Sequence, residues 1–378
     1  MKPVKRILIT GGNGHIASRL AERYLKESDA CVMLWLHADN LEEFVRKRAL
    51  LEAQLKSPPG RVEYYPGNLA ADNPFADINP TDINVVVHAA AVTRFNVEEP
   101  LAQKVNVEGS EKLFKFCRKC PNLERFALLS TVYASGLRTG LVEESALNGD
   151  EGFANFYESS KWQAENILLT QYPDLPWQIF RVATIISDDD DGNVGQYNAV
   201  HNTLKLLFYG LLPIIPGIPD TPLYFVTSQF VTNSLFSLLQ NAPIESIYHV
   251  AHTRSEALSL NDLMALSFST FGQDADFRKR RVIPPLYSDQ KSFERLADSV
   301  QGFGGIVMKQ SVASVTPFSK QLFLPKDVSN ARLVSRLERY QAPNQHQLVQ
   351  KICAQLLQTR WGREVLSPQS TPAVATQV

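Results

Sequence analysis

The chain has 378 residues, enough for one large core with an appended lobe or for two or three domains. Its residues are 44% hydrophobic and 20% charged, with a formal net charge of -1. That balance disfavours nucleic acid or an anionic membrane as a partner, and four cysteines in so long a chain rule out a disulfide framework.

Lys2, Lys5 and Arg6 precede an apolar run of only Ile7, Leu8 and Ile9, too short for the core of a signal peptide. A cytoplasmic protein is expected. Residues 6–10 read as a first strand, and apolar residues at Ile16, Leu20, Tyr24 and Leu25 mark a helix after it. Between the two stands Thr10-Gly11-Gly12-Asn13-Gly14-His15-Ile16-Ala17. Residues 12, 14 and 17 fit GxGxxA, and residues 11, 14 and 17 fit GxxGxxA. Glycines in that place let the backbone turn tightly and approach a pyrophosphate, whose charge is met by the helix N-terminus. Gly11, Asn13, Gly14, His15 and Ile16 are therefore candidate cofactor contacts.

Residues 31–36 and 62–65 read as the second and third strands. An NAD site normally places a carboxylate at the end of the second strand, on the ribose 2′-hydroxyl. Leu36 or His37 stands there, and Asp39 comes slightly late. Arg46, Lys47 and Arg48 follow, suited to a 2′-phosphate, so NADP(H) is the preferred cofactor, with NAD(H) the alternative. The ordinary reading of the basic trio is a solvated helix face.

Val85-Val86-Val87-His88 has the continuous apolar character of a central parallel strand. The helix at 105–117 closes on Cys117 and Cys120. A zinc site needs a second pair of ligands nearby, and a redox CxxC normally opens a helix. Two plain cysteines at a helix end, and no metal, are expected. A strand at 125–130 leads to Ser130-Thr131, followed by a helix at 157–169 and a strand at 177–185. Six strands joined by crossovers make an α/β fold, a Rossmann-type doubly wound parallel sheet.

Tyr157 and Lys161 lie four residues apart, on one face of their helix. Hydride transfer to a carbonyl needs a proton donor, and a free tyrosine, with a pKa of about 10, is a poor acid/base at neutral pH. A neighbouring ammonium lowers that pKa. With the hydroxyl of Thr131 at a strand end, these residues form a Ser/Thr–Tyr–Lys set.

Alternation then lapses. The acidic run at 188–191 precedes Gly192; a calcium loop would put Asn198 where a bidentate Glu belongs, so a solvated loop is expected. The apolar stretch 204–215 is broken by Gly210 and Pro213 and is too short to span a bilayer. It suits a packed core helix better than a hydrophobic substrate pocket. A strand at 248–250 and a helix at 261–271 follow. Residues 1–190 with about 223–255 read as the dinucleotide-binding domain. A smaller, mostly helical substrate lobe takes about 191–222 with 256–365, and the tail 366–378 is expected to be disordered.

Over roughly its first 255 residues the chain resembles extended short-chain dehydrogenases/reductases. It is most similar to the NAD-binding domain of fatty acyl-CoA reductases and to thioester reductase domains. The glycine loop carries that resemblance, with His88-Ala89-Ala90-Ala91, the segment from Asn106 to Gly109, the segment from Leu129 to Val132, and Tyr157 to Glu165. The resemblance implies that Gly11, Gly14 and Ile16 contact the pyrophosphate and that Ala89, Ala90 and Ala91 line the nicotinamide side. It also implies that Asn106 supports the catalytic centre and that Thr131 joins Tyr157 and Lys161. Asn68 and Leu69 fall on a GDL segment beside the adenine, and Arg48 falls near an arginine for the 2′-phosphate. His15, Ala17, His37 and Gln229 depart from the family pattern.

The function so implied is NADP(H)-dependent reduction of an acyl thioester to aldehyde or alcohol, on CoA or on a carrier protein met in trans. The alternatives are reduction of a free aldehyde, ketone or imine, or oxidation of an alcohol. Nucleotide-sugar epimerase or dehydratase chemistry and a non-catalytic NADP sensor complete the set.

Overall fold

The computed structural model describes residues 4–363. Strands of aliphatic residues alternate with amphipathic helices through the first half. β1 (Arg6–Thr10), α1 (His15–Glu27), β2 (Cys31–His37), α2 (Leu41–Leu55), β3 (Val62–Gly67) and β4 (Val85–His88) open the chain. α3 (Glu99–Ala102) passes through a π-helical stretch, Gln103–Glu108, into α4 (Gly109–Cys117). Then come β5 (Arg125–Thr131), a short β6 (Gly140–Val142), α5 (Phe156–Gln171) and β7 (Trp177–Val182).

Seven strands form one sheet in the order β12-β7-β5-β4-β1-β2-β3, where β12 is Ser246–Val250, and every neighbouring pair is parallel. Successive side chains alternate between two buried faces. Ile7, Ile9, Val32, Leu34, Val85 and Val87 enter one core; Leu8, Met33, Trp35 and Val86 enter the other, with Phe114 and Leu168. Strand order reverses between β1 and β4, so the loops after them meet at the C-terminal edge, where such sheets bind ligands.

The strand expected at 177–185 breaks at Ala183. Its N–H still bonds to Val250, but the N–H of Thr184 turns to Tyr224. β8 (Thr184–Ser187) leaves the sheet and, across α6 (Ala199–Phe208), β9 (Ile214–Pro216) and β10 (Pro222–Leu223), pairs with β11 (Phe225–Thr227). α7 (Ser228–Asn241) returns to pack beside α1 and leads into β12.

The remainder comprises β13 (Leu258–Ser259), α8 (Leu260–Phe271), α9 (Ala275–Arg280), β14 (Leu286–Ser288), α10 (Gln290–Phe303), α11 (Ile306–Ser319), β15 (Lys326–Val328), α12 (Ala331–Arg336) and α13 (Gln345–Gln358). Leu204, Leu207, Phe208, Phe271, Phe277, Val315, Ile352 and Trp361 share a core of their own. One segment departs from the expected division. β15 pairs with β6, and Val328 and Leu333 bury with Val226 and Val250 in the sheet's core, so residues 326–337 belong physically with the first domain. The tail 366–378 lies outside the described residues.

Candidate active site

The turn after β1 is shaped by two close approaches. Gly11 has φ +68, and a Cβ there would lie 2.9 Å from the Ala90 backbone. The Gly14 N–H donates to the Gly11 carbonyl at 2.7 Å, and Gly14 caps α1 without a side-chain hydrogen bond. Backbone N–H groups of the first turn therefore face outward from a concave turn, the arrangement that holds anionic groups. Asn13 is exposed at the loop tip, while Ile16 packs partly against the core beneath.

The loop after β4 is tied to this turn. Thr10 Oγ1 accepts from the Ala90 N–H at 3.2 Å and bonds His88 Nδ1 at 2.8 Å, while His88 Nε2 meets Ser110 Oγ at 2.9 Å. Burial and the charge of Lys161 push the His88 imidazole down to about 3, so it is a neutral strut. Ala89 to Ala91 are partly exposed along the same edge.

Asn106 sits in the π-helical stretch, a local widening that often marks function. Its side chain accepts from Val92 N–H at 2.8 Å, and donates to Val92 C=O at 3.0 Å and to Ser160 Oγ at 2.9 Å. It thereby clamps the β4 loop to the helix bearing Tyr157 and Lys161. The clamp is buried.

Thr131 ends β5, and Tyr157 stands in the first turn of α5, where Asn155 caps the helix by accepting from Glu158. Burial pushes the Tyr157 phenol up to about 12, opposed by a hydrogen bond with Thr131. Burial also pulls Lys161 down to about 8 against the pull of Glu165, and its Nζ donates to the Leu129 carbonyl at 2.6 Å. The lysine is not among the groups that move Tyr157. The lowering of the phenol by that ammonium, expected from the sequence, is not found, and burial raises it instead.

A family profile described as male sterility protein, an NAD-binding domain, matches residues 9–235, more than half of the chain. The chain belongs to the male sterility protein family. The matched region is of the NAD-binding type, as the glycine turn after β1 leads one to expect. Among curated relatives of this family member, chloroplastic fatty acyl-CoA reductase 2 of Arabidopsis thaliana is 26% identical over 42% of this chain and 29% of its own length. The alcohol-forming fatty acyl-CoA reductase of Simmondsia chinensis is 28% identical over 39% and 36%. The matched region spans about a third of those relatives. Among solved structures, the terminal R domain of the myxalamid PKS-NRPS pathway superposes with a TM-score of 0.72 at 15% identity, covering 96% of this chain and 93% of that one. UDP-glucuronic acid 4-epimerase of Bacillus cereus, solved with NAD, gives 0.64 at 16% identity, over 93% and 99%. These two show the fold.

In this family member the edge beyond β2 differs from its sequence reading. Arg48 pairs with Glu52 at 2.8 Å and lies over the Tyr64 ring, away from His37. Lys47, one residue earlier and so about 100° around the helix, donates to the His37 carbonyl at 2.8 Å and pairs with Glu43. Asn68 donates to Asp39 at 2.8 Å beside them. The Leu69 side chain turns into the core under Gly109.

His15 and the acidic run also meet. His15 Nε2 lies 3.0 Å from Asp188, Arg19 pairs with the same carboxylate at 2.7 Å, and Arg19 donates to His15 Nδ1. Burial would raise Asp188, but His15 and Arg19 outweigh it and hold the carboxyl below its usual range. The other three match the expected surface loop more closely: Asp189 is half-buried and engaged with Asn193, and Asp190 and Asp191 are exposed. Cys117 and Cys120 are buried free thiols pushed up by burial, the reverse of redox activation.

Three aromatic residues had no sequence signal. Phe95 stands edge-on to Tyr157 and to Tyr133, each at 5.6 Å, and 6.1 Å from Phe318 of α11. They come from the β4 loop, the β5 end and the C-terminal lobe. Only the fold assembles them.

Proposed function

We propose that this protein reduces an acyl thioester, on coenzyme A or on a carrier protein in trans, to an aldehyde or alcohol with NADPH, Tyr157 donating the proton. What supports this reading is the hydrogen bond between Thr131 and Tyr157, with Lys161 anchored to Leu129 two residues earlier on the same strand, in a family whose relatives include fatty acyl-CoA reductases. The concave turn at Gly11 and the uncapped α1 terminus fit a dinucleotide pyrophosphate, with Gly14 and Ile16 beside it. Lys47, rather than Arg48, stands beside His37 at the ribose edge and supports the phosphorylated coenzyme.

When bound, the coenzyme supplies a hydride to the thioester carbonyl carbon. Tyr157 holds the matching proton for the carbonyl oxygen. Its phenol, raised to about 12, is protonated at neutral pH, the state in which a reductase begins. Thr131 orients that phenol. Lys161, held on the Leu129 carbonyl, supplies positive charge to the same strand end, which favours the phenolate left behind once coenzyme and substrate close the site. Collapse of the hemithioacetal breaks the C–S bond, its hydroxyl proton passing to sulfur. Phe95, Tyr133 and Phe318 give the reacting carbon an apolar wall that excludes water.

The test is an assay with NADPH or NADH and a panel of acyl thioesters. Free thiol should appear with coenzyme oxidation, one thiol per coenzyme if the product is aldehyde and one per two if it is alcohol, and the reaction should be faster with NADPH. Oxidation with no thiol released would assign the chemistry to free aldehydes, ketones or imines.

Gly11→Ala is expected to weaken dinucleotide binding by at least about tenfold, since the left-handed backbone and the Ala90 contact both oppose a side chain. Fluorescence titration reads this. A pH profile is a separate check. Lys161 loses its charge above about 8, so kcat/KM for reduction should fall as pH rises through that region. A profile flat across it would remove Lys161's charge from the mechanism.

A further inference from the structure

The C-terminal lobe carries a face that the reaction does not use, assembled from three distant turns. The turn after α6 brings Leu211 and Pro213, the loop after α9 brings Ile283 and Leu286, and the start of α11 brings Ile306 and Met308. The Leu286 N–H donates to the Pro213 carbonyl at 3.0 Å, and a Cβ on Gly210 would touch Val282 at 3.4 Å. Leu211, Pro213, Ile306 and Met308 also line one shallow apolar groove. Ile283, Ile306 and Leu286 are 82%, 76% and 74% exposed, so they project from the surface rather than lie along it.

Charge is as uneven as hydrophobicity. Segments 204–218, 278–288 and 302–310 hold six lysines and arginines and no aspartate or glutamate, in a chain whose net charge is -1. Four of the six are the consecutive Arg278, Lys279, Arg280 and Arg281. Arg280 is stacked on Phe208 and Tyr209 at 4.7 Å, which fixes its guanidinium at the rim of the apolar face. Asp276 lies 3.6 Å from Lys279, while Asp220, Asp262 and Asp289 stand at the borders of these segments, away from the four consecutive cations in sequence. Whole-chain composition, which disfavours an anionic membrane, averages over this cluster.

We propose that this face docks on the surface of an anionic lipid bilayer. The aliphatic tips enter the boundary between headgroups and acyl chains, and the flanking cations meet lipid phosphates. Such binding needs buried apolar area and positive charge together. A fluid bilayer accepts side chains projecting from separate turns, whereas a protein partner needs close-packed complementarity. Pro284 and Pro285 stiffen the loop that carries Ile283, reducing the entropy lost on insertion. No helix among the described residues is long and apolar enough to cross a membrane, so the contact proposed is peripheral.

The full chain is sedimented with vesicles of phosphatidylcholine alone and with vesicles of phosphatidylcholine mixed with phosphatidylglycerol. Binding is expected to the mixed vesicles and to weaken with salt. Ile283→Asp combined with Ile306→Asp should lower it by about tenfold or more, and so should Arg278→Glu combined with Lys279→Glu. All four sites are exposed, and thermal melting should show each variant folded at the assay temperature, the lost bonds of Arg278 to Gly272 and Gln273 lowering the midpoint only of the charge-reversal pair. Wild-type protein left in the supernatant with both vesicles overturns the proposal. So does equal binding by the variants. A dimer that Ile283→Asp disperses, or an acidic carrier protein whose binding alone the variants lose, would assign the face to those occupants instead.

Discussion

Replacing Tyr157 with phenylalanine is expected to lower kcat/KM for reduction by about two to four orders of magnitude, with dinucleotide affinity unchanged. The ring is packed edge-on against Phe95 at 5.6 Å, and phenylalanine keeps that contact, so only the oxygen and its bond with Thr131 are lost. The substitution therefore separates proton donation from folding. Steady-state kinetics report the first, and coenzyme fluorescence and thermal melting report binding and the fold. A non-catalytic NADP sensor would respond the same way in both forms. If the phenylalanine variant turned over like the wild type, the proton would have to come from another group. Lys161, pulled down to about 8 by burial, is an alternative donor at the same strand end.

The sequence carried the first half of the fold well because its signals are local. Val85, Val86 and Val87 have the unbroken apolar character of a strand buried on both faces, and they occupy the middle of the sheet. Glycines between β1 and α1 lie where a turn must be tight. Tyr157 and Lys161 share a helix face because four residues make about one turn. What stayed hidden depends on phase and on distance. Lys47 and Arg48 are neighbours in sequence, yet a single helical step sends one to His37 and the other to Tyr64. Asp188 reads as one of four exposed acids until the fold sets His15 and Arg19 against it. Phe95, Tyr133 and Phe318 lie up to 223 positions apart, and no periodicity links them.

The C-terminal lobe was illegible for a related reason. Its core joins α6, α8, α11 and α13 across about 150 residues of chain, interrupted by the return of β15 and α12 to the first domain. That return places a buried polar group beside the catalytic helix. Lys326 Nζ donates to Ser135 Oγ at 3.0 Å, and Gln321 bridges Gly136 and Glu158, the residue after Tyr157. Burial pushes Glu158 up to about 7 and pulls Lys326 down to about 8. The lobe is therefore fastened to the start of α5 by hydrogen bonds as well as by Phe318. On the proposed function, access to Tyr157 and the seating of the lobe are therefore linked.

Arg181→Met is expected to destabilise the protein by about 3–5 kcal/mol, the cost of leaving a buried carboxylate unpaired. Arg181 and Glu165 are fully buried and joined by contacts down to 2.7 Å, with His249 Nε2 3.2 Å from the same guanidinium. Urea unfolding should show the loss as a lower midpoint. Removing both charges, with Arg181→Met and Glu165→Leu together, should recover much of it, because neither ion is then desolvated alone. The two variants should part again in their pH profiles. Glu165 is the charge that raises Lys161 against burial, which holds it at about 8. Arg181→Met keeps that carboxylate, so the alkaline limb of the reductase should stay in place. The double variant lacks it, and burial then pulls the lysine lower, so activity should be lost at a more acidic pH than in the wild type. If the more stable variant kept the wild-type limb, Glu165 would be a packing residue only. A downward shift would make it the residue that positions and charges Lys161.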